Sequence, residues 1–190
     1  DEFSKEENYS MAQQAYTRAF ELSEEKRLDI EIKRLRSKVN QIYVDLAFGV
    51  NVQDSLAEID FQYLLHMLKG DEHTAERAEI LTTYGLFVSH EKRSSEAERI
   101  IRQAIELNPK DPFAYVSLGM IMHDAGRMDE SQRGYEKAIS LDPNNFDAHY
   151  NLAHLFLEQH KVPEAESEFQ KALEIDSTDL DTRHQLDSLQ

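Results

Sequence analysis

Residues of matched size or polarity recur every 34 positions through the second half of the chain, and this period constrains the fold more than any other feature. Asn108-Pro109 and Asp142-Pro143 mark the step most clearly. The columns with three members are Gly85, Gly119 and Ala153; Ala97, Ser131 and Ala165; Ile101, Tyr135 and Phe169; Ala104, Ala138 and Ala172; Leu107, Leu141 and Ile175; Leu81, Tyr115 and His149; Tyr84, Leu118 and Leu152. The sequence therefore predicts an internal structural repeat.

Each copy contains the start and stop signals of two helices. In the middle copy, Asp111 is an acidic N-cap before Pro112 at the first helical position, and Gly126 can adopt the left-handed C-cap conformation. We expect the second helix to begin around Asp129, with Gln132 completing a capping box. It should end before Pro143, because proline cannot continue a helix.

The column of Gly85, Gly119 and Ala153 has a packing reason. Two helices approach closely only where one of them lacks a bulky side chain, and we expect Ala138 or Ile139 to fill the notch at Gly119. The column of Ile101, Tyr135 and Phe169 then supplies the large side chain of each second helix.

These columns resemble the tetratricopeptide repeat (TPR) over roughly residues 74–179. The residues that carry the resemblance are Tyr84, Gly85, Ala97, Ala104, Pro109, Tyr115, Leu118, Gly119, Gly126, Tyr135, Ala138, Pro143, Leu152, Ala153, Ala165, Phe169 and Ala172. Ser131, His149 and Ser177 depart from the family pattern. The resemblance implies an all-α fold, a right-handed α-α superhelix of TPR helical hairpins, here with a helical N-terminal extension.

The expected domains are a non-consensus helical segment at 1–72, three repeats within 73–179, and the start of a capping helix or further repeat at 180–190. The predicted repeats are 78–111, 112–145 and 146–179, and the predicted N-terminal helices are 10–22, 24–48 and 53–69, the first with a Ser10/Gln13 capping box. The N-terminal segment is either a hairpin that caps the array or a coiled-coil or dimerisation arm. The basic run at 33–38 is interpreted as a solvated helix face.

Charge and composition exclude several classes of protein. With 21 Lys+Arg against 37 Asp+Glu, the formal charge of −16 disfavours nucleic-acid and anionic membrane partners. The absence of Cys excludes thiolate metal sites and cysteine nucleophiles. No apolar run approaches the length of a membrane span. The chain starts at Asp1 without Met, and we expect it to be a segment of a longer protein; the compartment stays open, with the cytoplasm as the default.

The sequence contains no motif that indicates catalysis. It has no phosphate-binding glycine loop and no GxSxG or HExxH pattern. His149 is interpreted as a structural residue in a packing column, and Glu164 and Glu168 as like charges on an outer helix face. We therefore predict no enzyme activity, no cofactor and no metal.

The concave face is where we expect function, because stacked hairpins line it with their first helices. In TPR domains certain positions of the first helices line the groove. The residues at the matching positions of this chain form an apolar centre with an acidic rim, together with two histidines. The predicted partner-binding residues are Leu86, Phe113, Val116, Met120, His123, Asp124, Asp147, Tyr150, His154, Leu157 and Glu158. Exposed apolar residues of this kind indicate a binding surface. The alternative is that other parts of the full-length protein fill the groove.

The predicted function is a non-catalytic protein–protein interaction scaffold. Its partner would be a protein or peptide with apolar anchors and basic flanks. Some TPR domains bind acidic chaperone tails through a carboxylate clamp, but the matching positions here are Thr82, Leu86, Ser117, Asp147 and Asn151, and only Asn151 fits that pattern. The alternatives are a recognition or spacer module of a larger enzyme, and self-association into a homo-oligomer through exposed ends of the array.

Overall fold

A computed structural model of the chain describes Gln14 and residues 25–47, 55–70 and 73–189. This part of the chain contains nine α-helices and no β-strand, which confirms the all-α prediction. The helices are α1 (Glu25–Ala47), α2 (Ser55–Met67), α3 (Thr74–His90), α4 (Ser94–Leu107), α5 (Pro112–Asp124), α6 (Met128–Leu141), α7 (Phe146–Glu158), α8 (Val162–Ile175) and α9 (Leu180–Leu189). The predicted helix at 10–22, with its capping box, lies outside the described residues apart from Gln14.

Consecutive helices pack as three hairpins, α3 with α4, α5 with α6, and α7 with α8. The local signals act as expected at α5, where the Asp111 side chain accepts a hydrogen bond from the Phe113 N–H at 3.0 Å. Gly126 ends the helix with a φ of 72°. The capping box predicted at Asp129 is wrong, because α6 begins one residue earlier, at Met128, after Arg127, which makes no side-chain cap.

The glycine notch is filled by a different residue from the one expected. A Cβ atom on Gly119 would lie 2.5 Å from the ring of Tyr135, and one on Gly85 would lie 2.5 Å from Ile101. The large column of the second helix therefore fills the small column of the first helix, where the sequence had suggested Ala138 or Ile139. Gly134 adds a second close approach, since its Cβ would lie 2.9 Å from the Gly119 Cα.

An arginine at the start of the second helix of a hairpin links successive hairpins. Arg127 binds Glu130 in its own helix and Glu98 of α4, each at 2.6 Å. Arg93 binds Glu96 at 2.7 Å and Glu58 of α2 at 3.2 Å. Glu58 of α2 contacts Arg93 in the way that Glu98 of α4 contacts Arg127. Relative to the first hairpin, α2 therefore lies where the second helix of a preceding hairpin would lie.

The N-terminal helices pack directly on the first hairpin. Phe61 of α2 is fully buried, and its ring stacks on Tyr84 of α3 at 5.0 Å. Arg36 of α1 binds Glu76 of α3 at 2.8 Å, and Lys38 binds the buried Asp60 of α2 at 3.0 Å. The basic run on α1 is therefore more than a solvated face, because two of its members tie α1 to the helices beside it.

The core follows the stack of helices in three successive clusters. The largest joins α1 to α5, the second joins α5, α6 and α7, and the third joins α7, α8 and α9. Phe169 of α8 is fully buried in the third cluster, with Leu186 and Leu189 of α9 packed against it. This arrangement leaves the first helices α3, α5 and α7 side by side along one face.

Candidate functional site

An open cavity of about 370 Å³ lies where α3, α5 and α7 meet. Its walls are placed by the capped starts of α5 and α7, since Asn145 accepts from the Ala148 N–H at 2.9 Å just as Asp111 caps α5. The cavity is lined by Leu86, Ser89, His90, Phe113, Val116, Met120, Ile121, Asp124, Asp147, Tyr150 and Asn151. Three hairpins therefore contribute to one site.

The structure brings together seven of the eleven residues that the sequence singled out. They are Leu86, Phe113, Val116, Met120, Asp124, Asp147 and Tyr150. Their exposures differ, and the difference matters for binding: Met120 is 41% exposed, whereas Val116 is 3% exposed and belongs to the core. Val116 therefore supports the cavity floor more than it offers a surface. Ile121 and Asn151 also line the cavity and were not among the predicted residues. Each directly follows a predicted residue, Met120 or Tyr150, and this adjacency is the one feature of the sequence that could have indicated them.

The other four predicted residues form a separate group beside the cavity. His123 Nε2 lies 2.9 Å from Glu158 Oε2, which joins α5 to α7. His154 packs against the rings of Tyr150 at 4.5 Å and Phe169 at 5.1 Å. Burial lowers the pKa of His154, as does the nearby His123, although Glu158 acts in the opposite direction. Leu157 packs on the third core cluster. This group braces the Tyr150 side of the cavity.

The electrostatic character of the cavity is acidic. None of the described residues that line it is a Lys or an Arg. Desolvation raises the pKa of Asp147, and no other described residue makes an ion pair or hydrogen bond with its carboxylate. The pKa of Tyr150 is raised by burial and by the negative charges of Asp181 and Asp179. A cation therefore gains more than a neutral group from entering this cavity.

A second cavity of about 590 Å³ lies outside the predicted groove, between the ends of α6 and α8. His149 lies at its base, buried and hydrogen-bonded to Glu168 at 2.6 Å, and Glu168 in turn binds Lys171 at 2.7 Å. Glu168 is thus not the outer-face residue that the sequence suggested. Because these charges are paired with one another, this larger cavity offers less to a charged ligand than the smaller one.

The described ranges offer neither a metal site nor a membrane-spanning helix. They contain no group of three or more His, Asp or Glu side chains arranged to hold a metal ion. None of the helices defined there combines the length and apolar character that crossing a bilayer requires.

The fold and the cavity together define a helical-repeat protein, a stack of hairpins whose first helices surround an open site. Models of the tetratricopeptide-repeat family match residues 114–145 and 135–167, so this part of the chain carries tetratricopeptide repeats. No curated protein matches the whole-chain sequence at a significant level.

Solved TPR domains share the fold at low sequence identity. The chain matches the first TPR of Spaghetti (RPAP3) bound to the HSP90 peptide SRMEEVD with a TM-score of 0.57 at 14% identity, covering 60% of this chain and 91% of that one. The TPR domain of Arabidopsis OM64 gives a TM-score of 0.57 at 19% identity, covering 62% and 97%. The Yersinia enterocolitica type III secretion chaperone SycD, in complex with a peptide of the translocator YopD, gives 0.54 at 17% identity, covering 58% and 90%.

Proposed function

We propose that this chain is a non-catalytic interaction scaffold that binds a partner peptide or helix in the cavity between α3, α5 and α7. The observation that carries the proposal is the combination of apolar and acidic side chains in one concave site. Leu86, Phe113, Met120 and Tyr150 offer apolar and aromatic surface, and Asp124 and Asp147 lie beside it. Sites of this kind usually bind through a few buried anchors.

The charge of the site selects the class of partner. A peptide with apolar anchors and basic flanks complements the acidic lining, and its flanking charges would mainly raise the association rate and the selectivity. Solved TPR domains of this fold hold peptides, as in the Spaghetti and SycD complexes, which supports a peptide ligand in general. This similarity of fold does not imply that the chain binds an acidic peptide like the one in the Spaghetti complex.

Two buried residues explain why an acidic peptide is a poor candidate. Thr82 and Ser117 stand at positions where the carboxylate clamp of related domains has cations or amides, and both are completely buried. Their hydroxyls donate to the carbonyl oxygens of Ala78 and Phe113 within their own helices, each at 2.9 Å. With Asp147 in the cavity wall, the site would repel a peptide carboxylate.

Calorimetry with a panel of short, terminally blocked peptides tests the proposal. The panel holds the apolar anchors constant and varies the flanks among Arg/Lys, Gln and Glu, with SRMEEVD as an acidic reference. We expect saturable binding of the basic members only. Phe113→Ala and Tyr150→Ala should each weaken it by about 1–2 kcal/mol, as loss of an aromatic anchor usually does.

The matched control is Val162→Ala, which truncates an apolar side chain that is 39% exposed and outside the cavity. It should leave binding unchanged. Added salt should weaken binding moderately, because salt screens the flanking charges and not the apolar contacts. Equal affinity in wild type, Phe113→Ala and Tyr150→Ala, with thermal melts showing intact folding, would place the binding site elsewhere on the molecule.

A further inference from the structure

We propose that the cavity takes an arginine side chain of the bound peptide as its anchor, with the guanidinium at Asp147 and the aliphatic stem against Phe113 and Tyr150. This inference rests on the proposed function and goes beyond it. Basic residues on the flanks of a peptide would remain at the rim of the site, whereas here the cation itself enters the cavity.

The Asp147 carboxylate has no counter-ion among the described residues. Two carboxylates that join helices elsewhere in the described chain are each matched by an arginine, Glu58 by Arg93 and Glu98 by Arg127. Asp147 has no such partner among the described residues, and it is exposed in the cavity wall, where a ligand can reach it. An accessible carboxylate with no cation beside it is stabilised in its charged form when a cationic ligand binds.

The cavity that holds this carboxylate also has apolar and aromatic walls. Phe113, Met120 and Tyr150 line the same cavity, and the Tyr150 ring is held in place by a stack on Phe146 at 5.8 Å. An arginine stem packs well on such a surface, and its guanidinium is attracted to the face of an aromatic ring. The negative field of Asp179 and Asp181 at Tyr150 adds to that attraction.

The acceptors in the cavity favour arginine over lysine. The guanidinium is planar, presents several N–H donors in a fixed fork and is more weakly hydrated than an ammonium group. Asn151 donates its side-chain N–H to the backbone carbonyl oxygen of Asp147 at 2.8 Å, which leaves its amide oxygen as a second acceptor on a residue that lines the same cavity. A forked donor can use both acceptors, whereas a compact ammonium group gains less from them.

NMR titration of the ¹⁵N-labelled chain with three blocked amino acids tests the inference. The probes are N-acetyl-arginine methylamide, the lysine analogue, and the citrulline analogue, which keeps the shape of arginine without its charge. We expect the arginine probe to shift the amide signals of Asp147, Tyr150 and Asn151 and to bind about tenfold more tightly than citrulline, with lysine between them.

Two variants separate the cavity from the acidic surface in general. Asp147→Asn should remove most of the preference for arginine over citrulline, and Tyr150→Leu should reduce it while keeping an apolar wall. The control, Asp129→Asn, removes an exposed carboxylate on α6 and should change nothing. Equal affinity for arginine and citrulline, or the same arginine affinity in Asp147→Asn as in wild type, would overturn the inference.

A further experiment with peptides distinguishes a failure of this inference from a failure of the proposed function. If a panel peptide binds and loses affinity in Phe113→Ala, but its arginines can all be replaced by citrulline without loss, the groove binds peptides and the arginine anchor is wrong. If replacing one arginine alone reduces affinity about tenfold, and this loss disappears in Asp147→Asn, the anchor is supported.

Discussion

The imidazole Nδ1 of His149 lies 2.6 Å from Oε2 of Glu168, and both side chains are buried where α7 meets α8. The other ring nitrogen, Nε2, lies 3.1 Å from the carbonyl oxygen of Pro143. One repeat earlier, the matching positions hold Tyr115 and Gly134, and the Tyr115 hydroxyl donates to the Pro109 carbonyl at 3.3 Å. The pair of His149 and Glu168 therefore plays the structural role that the pair of Tyr115 and Gly134 plays one repeat earlier.

This relationship predicts coupling between the two positions. His149→Tyr alone removes the buried imidazole partner of the Glu168 carboxylate, which then keeps only Lys171, and it should lower the free energy of unfolding by about 1–3 kcal/mol. Glu168→Ala alone should also be destabilising, because His149 loses its acceptor. The double variant approaches the tyrosine arrangement of the preceding repeat, so its loss should be smaller than the sum of the single losses. Urea unfolding of all four proteins measures the coupling, and strictly additive losses would refute it.

The glycine notch predicts strong intolerance of a larger side chain at Gly119. Gly119→Leu should lower the free energy of unfolding by about 1–3 kcal/mol, because the new side chain must displace the Tyr135 ring from a tightly packed contact. Ala125→Leu, at an exposed position next to the end of the same helix, is the control and should be close to neutral. A thermal melt in which Gly119→Leu matches the parent would show that α5 and α6 do not depend on this contact.

The turn between the two helices of each hairpin predicts stabilising substitutions. Lys92 and His160 have φ angles of 60°, the same left-handed conformation that Gly126 adopts at 72°. Because a side chain in this conformation is strained, Lys92→Gly and His160→Gly should each raise the free energy of unfolding by up to about 1 kcal/mol. Gly126→Ala should lower it by about the same amount. Denaturant midpoints check the three signs, and a loss of stability in both glycine variants would contradict the argument.

The arginine column predicts how stability depends on pH. Burial by itself raises the pKa of Glu58 and of Glu98, but hydrogen bonds from Arg93 and Tyr84 to Glu58, and from Arg127 and Arg102 to Glu98, leave both below the ordinary 4.5. A carboxyl with a lowered pKa binds fewer protons when folded. The stability it contributes is therefore complete above pH 4.5 and is lost as the pH falls further.

Chemical denaturation between pH 7 and pH 3 measures this loss. Arg93→Met and Arg127→Met should each be less stable at neutral pH and should lose less on acidification, because the carboxylates no longer gain from ionisation. Lys137→Met, which removes an exposed cation on α6, is the control and should follow the parent. If the free energy of unfolding falls with pH in parallel for all four proteins, the arginine contacts do not determine the loss of stability in acid.

Sequence periodicity was sufficient for the fold because it reports size and polarity at fixed steps. The all-α class and the hairpin type follow from columns such as Gly119 and Tyr135, but their direct contact does not, because a column gives no information on which residue of the partner helix fills a gap. The arginine contacts could in principle have been predicted from the sequence. Arg93, Arg127 and Lys161 stand 34 residues apart, as do Glu96, Glu130 and Glu164.

The site was less accessible than the fold. The family positions gave seven lining residues, but they could not show that Val116 is buried while Met120 is exposed, since this depends on how far each helix rotates in its pair. They also could not distinguish Asp147, whose carboxylate has no partner among the described residues, from Glu158, which is held by His123. The repeat boundaries at 78–111, 112–145 and 146–179 stay predictions.

The most direct test of the concave binding site is chemical-shift mapping of the ¹⁵N-labelled chain with a short peptide that carries apolar anchors and arginine flanks. We expect saturable changes concentrated at Leu86, Phe113, Met120, Asp147 and Tyr150, with little change at Ile139 and Lys171 around the second cavity. Changes centred on Ile139 and Lys171, or no saturable change with any basic member of the panel, would contradict it.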